Sequence, residues 1–274
     1  MPGSRVLEAA AAAGVPGVII EKPVAIQGED YRVLAAFATA SQMKIAVNHQ
    51  LHYHPRRQWL RSAIQAGDIG ELRLIDASAR SNLAFQGTHL LQALADAAAP
   101  ALTVTVFGQV SGPGGLRENQ YRHYAPDMAL AEIGFHSGLR ALLRCGSNAP
   151  PASPAPLPGH EHQQITVYGS HGHARSTMHS WEVLSHGTTR GGTHLYPHED
   201  VLAQAALTEA MLNWLESRTT EPPVSIHNAL REFEILLAIY ASALVAEPRR
   251  LPCCPPDGLI TSLRNKLTER EDHQ

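Results

Sequence analysis

The chain has 274 residues, of which 44% are apolar and 17% charged, with a formal net charge of -3. That length suits one large domain or two modest ones, and the slightly acidic balance argues against a nucleic-acid partner. No apolar run approaches the ~20 residues of a bilayer span and no basic segment leads into an apolar one at the start, so no membrane partner and a cytoplasmic location are expected.

Residues 6–13 are alanine-rich and high in helix propensity. The apolar run Val18-Ile19-Ile20 then reads as a short buried strand that ends at Glu21-Lys22-Pro23. A lysine is thereby placed at the carboxyl end of a strand, where open α/β sheets hold ligands and reacting groups. Pro23 biases Lys22 toward an extended backbone, so the chain leaves the strand without winding into a helix. Across residues 28–40, Val33, Leu34 and Phe37 recur at helical spacing and predict one face packed on a sheet. Ile45-Ala46-Val47-Asn48 reads as a second buried strand leading into His49-Gln50-Leu51-His52-Tyr53-His54-Pro55. Two helices alternating with two strands mark a parallel α/β layer, but two strands are too few to stand alone. The first ~50 residues are therefore expected to be less stable than the rest.

Further along, strands group together and long helices close the chain, an α+β pattern with an antiparallel sheet. A helix is predicted over 56–66, closed by Gly67-Asp68-Ile69-Gly70. Strands are predicted over 71–79, 102–110, 128–135, 139–144 and 164–168, with weaker strand character over 174–184. Between the first two lies Gly87-Thr88-His89-Leu90-Leu91-Gln92, where His89 packing at a helix start is the plain structural alternative to a chemical role. The proline- and alanine-rich stretch 149–158 reads as a surface loop. A helix over 201–215 is predicted to bury Leu202, Leu207, Met211, Trp214 and Leu215. A second, capped by Ser225, carries Leu230, Phe233, Leu237, Tyr240 and Leu244 at alternating steps of three and four.

Cys145, Cys253 and Cys254 show neither metal-ligand spacing nor a framework of bridges. Sixteen histidines invite a metal reading, with His49, His52 and His54 close together and His160, His162, His171, His173 and His179 later. Their loose spacing does not converge as zinc ligands do, so they are read as surface and turn residues and no metal is assigned.

The order of Glu21-Lys22-Pro23 after a strand, a second strand with Tyr53-His54-Pro55, a helix, Gly67-Asp68-Ile69-Gly70, a strand and Gly87-Thr88-His89-Leu90-Leu91 resembles the Gfo/Idh/MocA family of nicotinamide-dependent oxidoreductases. The resemblance extends to Gln164-Ile165-Thr166-Val167-Tyr168-Gly169 with Gly172, and to the closing helices with Arg250-Leu251-Pro252. It implies an α/β plus α+β fold: residues 1–50 as the carboxyl-terminal remnant of a Rossmann-type dinucleotide-binding domain, and 51–274 as a substrate and oligomerisation domain with a mostly antiparallel open sheet and packed helices. It also implies NAD or NADP as cofactor, a sugar, polyol or related carbonyl compound as substrate, and a homodimer or tetramer formed through the sheet. Lys22 and His89 match the family's catalytic lysine and histidine. Glu21, Lys22, Pro23 and His52 would meet the cofactor; Gln92, and Tyr121 and His123 from a polar-aromatic cluster, would meet the substrate.

The chain departs from the family at several points. It has no G-x-G-x-x-G, and it begins inside the helix that would precede the Glu21-Lys22-Pro23 strand, so a truncated domain with weak or absent cofactor binding is expected. Phe85 and Gln92 stand where the family commonly has aspartates, and His52 where it has an arginine. The lost carboxylates leave a second reading open, a non-catalytic sugar-binding or sheet-dimerising module.

Overall fold

The computed structural model describes residues 2–116, 124–216 and 221–271. Helix α1 (Pro2–Ala12), strand β1 (Gly17–Ile20), helix α2 (Gly28–Ala40) and strand β2 (Lys44–Val47) form the first layer, in which β1 and β2 pair in parallel. The two strands do not stand free. Leu34 and Ala38 of α2 pack with Ile45 and Val47 against Ile226, Ala229 and Leu230 of a late helix, α6 (Ile226–Val245). Val33 faces outward at 49% exposure, so the buried stripe of α2 runs through Leu34, Phe37 and Ala38, not Val33.

A 3-10 turn (Gln50–Tyr53) leads from β2 into α3 (Pro55–Gln65), with Pro55 in the first helical turn. Strand β3 (Leu72–Ala79) follows, then a single π-helical turn (Leu83–Gly87) running into α4 (Thr88–Ala98). Strands β4 (Thr103–Ser111), β5 (Met128–Phe135), β6 (Arg140–Gly146), β7 (Gln163–Gly169), β8 (Gly172–Thr177), β9 (Ser180–Ser185) and β10 (Thr188–Thr193) come next. The chain closes with α5 (Tyr196–Glu216), α6, the two-residue strand β11 (Arg249–Arg250) and α7 (Leu259–Glu271). Strands β3 to β11 form one sheet in the order β10-β9-β8-β7-β3-β6-β5-β4-β11. Within it β3 and β6 pair in parallel; the other neighbours are antiparallel.

The weak strand character over 174–184 resolves into two strands, β8 and β9, and a third, β10, has no apolar alternation that would announce it. Helix α7 is likewise an addition to the predicted elements. It buries only Leu259, Ile260, Leu263 and Leu267, an apolar stripe too sparse to stand out in a polar segment. In α5, Leu207 and Met211 are buried but Leu202 is 60% exposed, because the helix packs with one turn on Ala203 instead. No described helix is long and apolar enough to cross a membrane.

The alternation of the sheet divides it cleanly. Ala129, Ala131 and Ile133 of β5 and Ala141, Leu143 and Cys145 of β6 point inward to the helices, while Leu130, Glu132, Leu142 and Arg144 line the outer face. Helix α6 lies against β4 so closely that a Cβ at Gly108 would strike the Ile239 carbonyl. At the same contact Gly108 N–H donates to Ser242 Oγ at 2.9 Å, and Ser242 Oγ donates to Glu247 O at 2.6 Å.

Two expected outcomes rest on this packing. Ser242→Ala should destabilise the protein by about 1–3 kcal/mol, because it orphans the buried Gly108 N–H, and a denaturation midpoint unchanged from wild type would refute that clamp. Amide exchange should be faster in β1 and β2 than in β5 and β6, since the two-stranded layer has the fewest sheet partners; equal protection would contradict it.

Candidate functional site

Because β1 and β2 run parallel, their carboxyl ends lie side by side and deliver Lys22-Pro23 and Asn48-His49 to one place. Asn48 Nδ2 donates to Glu21 Oε1 at 2.7 Å and ties the two ends together at the rim. Lys22, joined to Pro23 by a cis peptide, is buried; its Nζ donates to Phe85 O at 2.9 Å and lies 4.3 Å from the centroid of the Phe85 ring. The π turn aims that carbonyl. Asn82 Oδ1 accepts from Phe85 N–H at 2.9 Å, and Thr88 Oγ1 donates to Phe85 O at 3.0 Å. Phe85 therefore meets Lys22 with a neutral carbonyl and a ring face in place of the expected carboxylate. Burial pulls the Lys22 ammonium down to about 8 against the raising pull of Glu21. An anion at position 85 would oppose that fall.

A small cleft of about 10 Å³, room for little more than one water, opens beside the ammonium, lined by Lys22, Pro23, His49, Thr88, Glu232 and Phe233 among others. His89 is not part of its wall. It is buried behind His49, edge to face, with ring centroids 5.3 Å apart, and its Nδ1 has no hydrogen-bond partner. Burial drives the His49 imidazole down to about 3, with the Lys22 charge adding to the effect, and drives His89 well below its ordinary value. Burial, reinforced by Asp96, pushes Glu232 well above the carboxylate range. His49 Nε2 and Glu232 Oε2 stand 3.8 Å apart, beyond hydrogen-bond length, as two neutral groups. Among the described residues that line the cleft, Lys22 is thus the one that carries a charge.

His52 and Gln92 belong to a neighbouring network. His52 Nδ1 lies 2.7 Å from Asp96 Oδ2, Gln92 Nε2 donates to the same oxygen at 2.6 Å, and Arg61 reaches it at 3.0 Å. Although burial pushes Asp96 up, these bonds hold its carboxyl below the usual range. Asp96 lies one helical turn beyond Gln92, so the carboxylate missing at position 92 is supplied four residues later and serves His52. Tyr121 and His123 lie outside the described residues.

Three contributors stand outside the residues that the motifs single out for chemistry. His49 lies in a histidine-rich loop with nothing local to set it apart, Asp96 is beyond the end of the Gly87–Gln92 motif, and Glu232 is hidden in the apolar stripe of α6. A charged residue among Phe233, Ile235 and Leu236 is the available signal for the last. The expectation that the histidines are surface residues fails in part: His49, His52, His54 and His162 are buried, whereas His160 and His171 are exposed. One group of metal-ligating type stands apart from the cleft among the described residues, His54, His194 and Glu199, with donor atoms within 4.8 Å of one another.

Among the described residues β1 is followed by Glu21-Lys22-Pro23 and β2 by a 3-10 turn, neither a glycine-rich turn into a helix. Gly17 of β1 has its Cβ space filled by Met211 and Leu215 of α5.

The buried imidazole makes stability depend on pH in a defined direction. The unfolded chain binds a proton at His49 below about 6.5 that the folded chain refuses until about 3, so folding loses stability on acidification through that window. Between pH 7 and pH 5 this one group costs about 2 kcal/mol. In His49→Gln the loss over that interval, read from urea unfolding, should shrink by about that amount; an unaltered profile would show that His49 is not buried neutral.

No protein-family model matches the sequence, and no curated protein does. Solved structures do match in fold. An oxidoreductase from Agrobacterium radiobacter, in complex with NAD+, L-tartaric acid and magnesium, superposes with a TM-score of 0.70 at 17% identity over 90% of this chain and 76% of its own. Levoglucosan dehydrogenase in complex with NADH and L-sorbose gives 0.72 at 15% identity over 91% and 77%. An oxidoreductase domain protein from Kribbella flavida gives 0.72 at 15% over 92% and 78%. The chain therefore has the fold of these oxidoreductases, with a short parallel sheet joined to a large, mostly antiparallel one, as the Gfo/Idh/MocA resemblance implied.

Proposed function

We propose that the chain is an oxidoreductase of the Gfo/Idh/MocA type, acting on a sugar, polyol or related carbonyl compound with NAD or NADP as hydride partner. One observation carries this reading: Lys22, held at the end of β1 over a cleft that it shares with His49 and Glu232, is buried enough to lose its proton at about 8. Such a lysine donates a charge-assisted hydrogen bond to a hydroxyl or carbonyl oxygen and steadies negative charge developing there. The neutral His49 imidazole beside it can accept a hydrogen bond from the substrate hydroxyl, and Glu232 faces it from α6. His89 holds His49 from behind in this scheme, acting on the reaction through it. The neighbours bound to NAD+ or NADH and to tartaric acid or sorbose support the compound class.

The lack of a glycine-rich turn after β1 and β2 sets the expectation for the cofactor. Purified chain titrated with NADH and NADPH, followed by nicotinamide fluorescence and calorimetry, should show weak or no binding; micromolar affinity would overturn this part of the reading. A calorimetric screen of sugars and polyols should find ligands whose affinity falls about 10- to 100-fold in Lys22→Ala, the worth of a charge-assisted hydrogen bond. Lys22→Ala and His49→Ala should leave circular dichroism intact.

A second reading rests on the outer sheet face, where Leu130, Leu142 and Tyr168 are each about two-fifths exposed. Their side chains fit a face that pairs with a second copy, as a homodimer or tetramer assembled through the sheet. Ligand binding indifferent to both substitutions, with a dimer broken by Leu142→Asp, would favour an assembly or binding module over an enzyme.

A further inference from the structure

The group formed by His54, His194 and Glu199 joins parts of the chain far apart in sequence. His54 caps the start of α3, His194 follows β10, and Glu199 sits in the first turn of α5. The side chains of His54 and His194 are 4% and 2% exposed. Their Nε2 atoms lie 3.7 Å and 3.9 Å from Glu199 Oε2 and have no hydrogen-bond partner. Two buried imidazole nitrogens without a hydrogen-bond partner beside a carboxylate that only Arg56 bonds are an unmet demand, because buried polar atoms are normally satisfied.

Each donor is held in place by something else. Arg56 NH2 and Nε donate to Glu199 Oε1 at 2.5 and 3.1 Å, which leaves Oε2, also 3.2 Å from Arg56 Nε, as the oxygen turned to the histidines. The Tyr196 ring stacks on His54, with centroids 5.6 Å apart and planes 20° apart. His194 N–H donates to His179 O at 2.9 Å and fixes the backbone there. Tetrahedral ligands about 2.1 Å from a zinc ion stand roughly 3.4 Å from one another, so the two carboxylate gaps close with a contraction of about half an ångström, while the donor set as a whole, spread over up to 4.8 Å, must draw in further.

We infer that His54 Nε2, His194 Nε2 and Glu199 Oε2 bind a divalent transition-metal ion of the zinc type, with water in the fourth position, and that the ion clips the start of α5 to the start of α3. Two imidazoles and a carboxylate favour such an ion over magnesium or calcium, which prefer all-oxygen sets. Two features work against it and must be outweighed by coordination. Arg56 brings a positive charge to the carboxylate and donates to Oε2 as well, and coordination at Nε2 moves the His54 proton to Nδ1, which gives up the long 3.3 Å bond that Nδ1 accepts from Arg56 N–H.

The test uses the full chain stripped with a chelator and titrated with Co2+, then Zn2+. One equivalent of Co2+ should bind with the intense visible bands of four-coordinate cobalt, Zn2+ should displace it, and the thermal midpoint should rise with either ion. His194→Ala and Glu199→Gln should each weaken binding by about 100-fold or more and abolish the bands, since removing a group that merely supports a ligand already costs up to about that much. His171→Ala, in the exposed His171 and His186 pair with rings 4.4 Å apart, should change nothing. Absence of stoichiometric binding, or bands that survive both substitutions, would overturn the site. Circular dichroism checks folding, and if His194→Ala does not fold, the near-isosteric Glu199→Gln decides the same question.

Discussion

The arrangement of the cleft depends on one buried charge, the Lys22 ammonium at the end of β1. An unpaired buried ammonium is costly, and this chain meets it with a backbone carbonyl and an aromatic face instead of a carboxylate. The π turn exists in the right place to aim Phe85 O at Nζ, and its own geometry is held by Asn82 and Thr88. The result is a lysine that keeps a hydrogen bond but little electrostatic support for its charge.

Everything around Lys22 is arranged by α6. The helix is buried along nearly its whole length, touching β2 and α2 near its start and β4 near its end. It therefore joins the short parallel layer to the large sheet and carries Glu232 into the cleft between them. Gly108 and Ser242 show how tightly this is set: the helix approaches β4 to where only glycine fits, and the strand's buried N–H is repaired by a serine hydroxyl. A shift of α6 would move Glu232 away from His49 and uncover the ends of β1 and β2 together.

The carboxylates illustrate how chemistry can move while fold persists. Phe85 and Gln92 replace acids at the positions the motif would predict, yet two acids remain in the neighbourhood from other positions. Asp96 bonds His52 one turn further along α4, and Glu232 faces His49 from another helix. Their states differ because their surroundings do. Asp96 has His52, Gln92 and Arg61 on it and stays ionised, while Glu232 is buried with an imidazole beyond bonding distance and keeps its proton. The cleft is consequently poor in charge, apart from the lysine.

Local sequence determined what depends on neighbours in the chain. Val18-Ile19-Ile20 and Ile45-Ala46-Val47 are short apolar runs that bury as strands, Pro23 follows the first, Pro55 begins α3, and Ser225 caps α6. Legible too was the placing of Lys22 at a strand's carboxyl end, because strand polarity and parallel pairing follow from the helix-strand alternation. Tertiary structure decided which histidine faces the cleft, since His49 and His89 differ by which side of one ring the other occupies. It also decided the partners of Lys22, His52 and His54, which come from 63, 44 and 145 residues away. Motif spacing carries no information about contacts of that range; only the packing of α4, α5 and α6 onto the two sheets brings those atoms together.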